Sequence, residues 1–164
     1  MSTPPLPARS ILRDGATGTS VTSVTLDYAA RFLRRKRLTT DQGWDFLVDL
    51  PQATSLEDGD TFVLEDDREI RVVAAEEHLI EVTGADLPRL AWHIGNRHTP
   101  CQFDNDRLLV QSDPVMSGML AKLGAATREV HAPFRPDRGA YGHGRTHGHD
   151  HGSTHGHGPT HSHG

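Results

Sequence analysis

The chain has 164 residues, a formal net charge of −5 with histidine neutral, and an apolar content of 35%; this length suits one domain or two small ones. The acidic balance argues against nucleic-acid binding, and no apolar run approaches the ~20 residues of a membrane helix. The single cysteine, Cys101, excludes an intrachain disulfide.

The first residues, Met1-Ser-Thr-Pro-Pro-Leu-Pro, lack the basic-then-apolar order of a signal segment, so the expected setting is soluble and cytoplasmic. Residues 1–20 are rich in Pro, Gly, Ser and Thr, and Ile11-Leu12 is the first place where a strand can begin. From Val21 the pattern is β. Val24 and Leu26 alternate with Thr25 and Asp27, and Asp41-Gln42-Gly43 reads as a turn. Trp44 to Leu50 reads as a strand ended by Pro51, and Asp58-Gly59-Asp60 turns into Thr61 to Leu64. Glu65-Asp66-Asp67 turns again into Glu69 to Ala75. Short strands with turn residues between them predict a small all-β unit over residues 1–75. A basic run, Arg31, Arg34, Arg35, Lys36 and Arg37, is read as a solvated strand or bend, with docking of an acidic protein as the alternative.

After Ala75 strands alternate with helices. His78 to Thr83 is a strand with Ile80 and Val82 on one face. Asp86 is placed to cap a helix, Pro88 fits its first turn, and Leu87, Leu90, Ala91 and Ile94 fall on one apolar face. Gly95 or Asn96 is expected to end this helix in the left-handed conformation, and Pro100 forbids its continuation. Cys101 to Phe103 and Arg107 to Gln111 form a hairpin around Asp104-Asn105-Asp106. Ser112 or Asp113 caps a second helix that Pro114 opens and Gly124 closes. Its apolar stripe is Val115, Met116, Met119, Leu120 and Leu123; the two methionines share that spacing and read as core. Thr127 to His131 is the last strand. The expected class is therefore α+β: the all-β unit, a ferredoxin-like β-α-β-β-α-β domain over residues 76–138, and a tail over 139–164.

That tail holds eight of the twelve histidines: His143, His147, His149, His151, His155, His157, His161 and His163. They alternate with Gly, Ser and Thr and have almost no apolar company, so the segment is expected to be disordered without metal. Imidazole suits Ni, Zn and Cu, and glycine lets neighbouring His-x-His pairs converge on one ion. Interleaving with other residues distinguishes the segment from a purification tag, which is usually an unbroken His run. Catalytic signatures are absent: there is no His-Glu-x-x-His, Gly-x-Ser-x-Gly or Gly-x-x-x-x-Gly-Lys-Ser/Thr. Cys101 with His98 as nucleophile and base is a weaker reading than a buried core thiol.

Trp92-His93-Ile94-Gly95-Asn96-Arg97-His98-Thr99-Pro100 resembles the signature of the UreE family of urease accessory metallochaperones. Supporting matches are Leu26 to Leu38, Leu56 to Asp60, Asp113 to Gly124, Phe134-Arg135-Pro136, Gly139-Ala140-Tyr141 and the His-rich end. The resemblance implies a partner-binding β domain and a ferredoxin-like metal domain through which a homodimer forms. It implies that His98 from each protomer meets at the two-fold axis as a nickel ligand, with tail histidines completing the sphere. His93 aligns with a second family histidine, but its place beside Leu90 and Ile94 gives it a structural reading first and a peripheral ligand role second. Some members carry His-x-His before the second helix; this chain has Ser112-Asp113-Pro114 there, so that site is not expected. The implied function is a nickel chaperone, also able to bind zinc or copper. It would act on the urease maturation complex and its GTPase, without being an enzyme. Nickel or zinc storage and detoxification, and a protein-binding adaptor with an incidental tail, are the competing classes.

Overall fold

The computed structural model describes residues 4–13 and 20–138. Two sheets account for most of them. The first has six strands in the order β2-β6-β5-β1-β4-β3: β1 Pro7–Leu12, β2 Ser20–Leu26, β3 Phe32–Thr39, β4 Asp45–Ser55, β5 Thr61–Leu64 and β6 Glu69–Ala74. β1 runs parallel to β4 and β2 parallel to β6, while the other pairs are antiparallel. One buried cluster draws Ala8, Val24, Leu38, Phe46, Phe62 and Ile70 from all six strands. The Asp41 N–H donates to the Ser23 carbonyl at 2.9 Å, although β2 and β3 are the two edges of the strand order. The sheet is therefore strongly curled around its own inner face. Phe46 and Phe62 meet edge to face at 5.4 Å, and each such side chain contributes about 1.5–3 kcal/mol by leaving water.

Several expectations need correction here. β1 begins at Pro7 and ends at Leu12, where the sequence suggested a start. Pro51 does not end β4, which continues to Ser55. The β3–β4 register shifts between Leu33 and Arg35, so Pro51 falls where the ladder is interrupted and its missing N–H is not needed. Arg34, Arg35, Lys36 and Arg37 are exposed on β3, an edge strand that such charges protect from further pairing. Arg31 departs from the solvated reading. It is 2% exposed and donates to the carbonyls of Leu26, at 3.0 Å, and Phe134, at 2.5 Å. Burial lowers its pKa, and Glu77 and Asp58 oppose that shift. Its guanidinium also lies 5.6 Å from the centre of the Tyr28 ring.

The second sheet has the order β10-β7-β9-β8, all antiparallel. Along the chain come β7 Glu76–Thr83, α1 Leu87–Asn96, β8 Gln102–Phe103, β9 Leu108–Gln111, α2 Pro114–Lys122 and β10 Ala126–Pro133. This is the β-α-β-β-α-β element order expected from the sequence. Alternate residues of β7 face opposite ways. Ile80 and Val82 pack with Leu90, Ile94, Met116 and Leu120 of the helices, whereas Leu79 packs with Leu109 and Phe134, beside Tyr28. The α2 stripe is narrower than expected: Val115 is 63% exposed and Leu123 37% exposed, so only its Met116–Leu120 side meets the sheet.

The two sheets are tied by the chain leaving β10. Phe134 is fully buried, Arg138 pairs with Glu57 at 2.8 Å, and Arg135 lies 3.9 Å from Asp58. The Tyr28 N–H donates to Glu77 at 2.8 Å.

Candidate metal centre

The site begins with the end of α1. Asp86 caps its N-terminus by accepting from the Arg89 N–H, and Pro88 occupies the first turn. The apolar face Leu87, Leu90, Ala91 and Ile94 holds it on the sheet. Arg97 is the C-terminal cap. The His98 N–H then donates to the Gly95 carbonyl at 2.9 Å, and the Thr99 N–H to the Ile94 carbonyl at 3.4 Å. These two bonds are the Schellman closure, in which the residue just past the cap takes a positive φ. That residue is His98, with φ 57°, and not Gly95 or Asn96 as the sequence suggested. Both of those stay within the helix.

Glycine normally fills this position because a Cβ is strained there. Histidine is one of the few other residue types enriched in this region of φ, and non-glycine residues held there cluster at functional sites. His98 is exposed, as expected for a residue at a helix corner. Its backbone is fixed by the two closure bonds, and Pro100 follows.

Cys101 is the next chemically distinctive residue. It is buried, and its Sγ contacts the Gln102 carbonyl at 3.8 Å. Burial, assisted by the negative charge of Asp137, pushes the thiol up to about 12. At neutral pH it is a protonated core thiol, neither nucleophile nor thiolate ligand. His93 is half-buried and meets Trp92 edge to face at 5.0 Å, so it is less enclosed than a packed core residue. Trp92 itself is 64% exposed on the helix that carries His98.

The described C-terminal segment returns to this corner. The Asp137 N–H donates to the Cys101 carbonyl at 2.9 Å, and the Arg135 N–H to the Gln102 side chain at 2.8 Å. The eight tail histidines, His143, His147, His149, His151, His155, His157, His161 and His163, lie outside the described residues, as does the expectation of a disordered tail. Among the described residues no group of three or more His, Cys, Asp and Glu is arranged to hold a metal ion. His98 is an exposed imidazole that belongs to no such group among the described residues. The sequence reading overlooked one further feature: His78 and His131 face each other across β7 and β10, with ring centres 4.5 Å apart. They stand 53 positions apart, and only the register of these strands brings them together.

Comparison with known proteins decides the family. The model of the UreE urease accessory protein N-terminal domain matches residues 6–75, and that of the C-terminal domain matches residues 77–163. The chain belongs to the UreE family. The urease accessory protein UreE of Ruegeria pomeroyi is 61% identical over 144 residues, covering 87% of this chain and 97% of its own. Those of Rhodobacter capsulatus and Paracoccus denitrificans are 53% and 52% identical, each over 141 residues, 86% of this chain and 90% of their own. UreE proteins are accessory chaperones, so this chain is not an enzyme. No helix among the described residues is long and apolar enough to cross a membrane.

Proposed function

We propose that the protein is a cytoplasmic nickel metallochaperone that delivers Ni(II) to the urease maturation complex, including its GTPase. The observation that carries this reading is the exposed His98 imidazole, held in a left-handed helix closure inside the UreE signature. In the proposed dimer His98 of each protomer meets its copy at a two-fold axis, so one side chain supplies two ligands. Exposed Trp92 on the same helix supports an interface there, because an aromatic of this size gains most by being covered. The metal-binding half is the ferredoxin-like domain of residues 76–138, and residues 1–75 form the partner-binding β domain.

Histidines of residues 139–164 act as the collector: His143, His147, His149, His151, His155, His157, His161 and His163. The chain reaches that segment from Asp137, which is bonded to Cys101 only three residues from His98. From Arg138 to His143 are five residues, a span of at most ~18 Å, which supports tail histidines as additional ligands. A set of imidazoles suits a carrier because it binds borderline ions without enclosing them, unlike a thiolate cage. Zinc and copper bind the same nitrogens, so selection of nickel rests on the delivery partner and on which metal is available.

Urease activation at limiting nickel, in cells lacking this protein, tests the reading with intact, His98→Ala and tail-deleted chains. Intact protein restores activity and His98→Ala does not. Full restoration by His98→Ala would sink the site assignment, and metal capacity with no effect on urease would favour storage.

A further inference from the structure

The pair formed by His78 and His131 is not used by the reading above. Both side chains are exposed, on facing positions of β7 and β10. The His78 carbonyl accepts from the Ser112 N–H on the opposite side, at 3.2 Å. Its backbone groups therefore point toward β9 and away from β10. His78 and His131 accordingly form the close, non-hydrogen-bonded kind of antiparallel pair, whose Cα atoms approach to about 4.5 Å. The rings follow, with centres 4.5 Å apart and planes tilted by 48°.

Glu129, two residues before His131 on the same face of β10, brings a carboxylate oxygen to 3.3 Å from His78 Nε2. A carboxylate at one ring nitrogen orients an imidazole and leaves the other nitrogen as a metal donor, an arrangement common behind metal-bound histidine. His78 also lines an open cleft of about 630 Å³ with Asp27 and Glu76, whose negative charge favours a cation. An ordinary cross-strand contact accounts for the pairing, but not for a carboxylate set against one of two adjacent exposed imidazoles.

We propose that His78 and His131 form a two-imidazole site for a borderline divalent transition-metal ion, separate from His98 and from the tail, with water completing the coordination. Two nitrogen donors on rigid paired strands suit copper most strongly by intrinsic affinity, then nickel and zinc. The site does not depend on the dimer or on the His98 assignment.

The test uses the full-length chain with His98 and the eight tail histidines replaced by alanine, which leaves His78, His93 and His131. Cu(II) is titrated into it by equilibrium dialysis, and the electron paramagnetic resonance spectrum reports how many imidazole nitrogens are bound. The expected result is one Cu(II) per chain with two imidazoles. His78→Gln or His131→Gln, each at an exposed position, should weaken binding at least tenfold and leave at most one imidazole. Absence of bound Cu(II) in the starting chain overturns the proposal. So does binding that persists unchanged in His131→Gln, which would send the ion to His93. Neither outcome bears on nickel delivery through His98, because that side chain is absent from every protein in the series.

Discussion

Replacing His98 by glycine should make the protein more stable while removing the proposed delivery ligand. His98 sits at φ 57°, where a residue with a Cβ costs roughly 1–2 kcal/mol relative to an ordinary backbone region. Glycine removes that strain but makes the unfolded chain more disordered, at a cost of about 0.4–1 kcal/mol. The closure bonds from His98 and Thr99 to Gly95 and Ile94 are backbone bonds, so they survive the substitution. The net gain is ~0.8 kcal/mol, which for a chain of this size raises Tm by ~2–3 °C. His98→Ala keeps the Cβ and therefore the strain, and should stay within ~0.5 kcal/mol of the parent. Differential scanning calorimetry of the three metal-free proteins gives the order directly. A glycine variant that melts at or below the parent would refute the strain argument. If both variants bind nickel at an unchanged dimer stoichiometry, His98 is not the interface ligand.

Three further outcomes are expected. Deleting residues 139–164 should leave a folded protein, since the described buried residues already fill the inner faces of both sheets, and should remove most bound metal while keeping the one ion at His98 per dimer and the ion of each His78–His131 pair; calorimetric titration counts the ions. Arg31→Ala leaves the Leu26 and Phe134 carbonyls without their buried donor and should cost roughly 2–4 kcal/mol; an unchanged urea midpoint would mean that water replaces the guanidinium. Cys101, whose thiol is raised to about 12 from an ordinary 9.0, contributes stability that is fully present below about pH 9 and lost as pH rises toward 12. Cys101→Ser should flatten that alkaline decline in a pH series of denaturation curves, and a decline of the same steepness would assign it to other groups.

Local rules worked where one segment carried its own punctuation. Asp86 and Pro88 opened α1, and Asp113 and Pro114 opened α2, because each cap bonds within its own first turn. Turns around Gly43, Gly59 and Gly124 were legible because each glycine has a positive φ. The end of α1 was misplaced by the same rule. Gly95 looked like the stop, but the closure falls three residues later, and a histidine occupies the position that glycine usually takes. Pro51 misled because strand-breaking depends on whether the partner strand needs that N–H, which only the β3–β4 register reveals. Arg31 was hidden in a basic run, and its burial depends on Phe134, 103 residues away. At the proposed site, the His98 motif was readable from sequence, but its strained backbone was not. The His78–His131 pairing could not be read at all without the register of the first and last strands of the second sheet.

The Arg31–Phe134 contact bears on how separable the two halves are. The boundary near Ala75 invites exchange of halves between relatives, as if each were a module. Phe134 follows β10, yet its carbonyl completes the bonding of a cation that comes from the link between β2 and β3. The same few residues carry Arg135 and Arg138 to Asp58 and Glu57. A chimera joined at residue 75 would inherit its amino-terminal half from one parent and the clasp for that half from the other. Residues 134–138 hold partners in both halves, so a graft meant to fold should match them to residues 1–75 as well as to Leu79, Cys101 and Gln102.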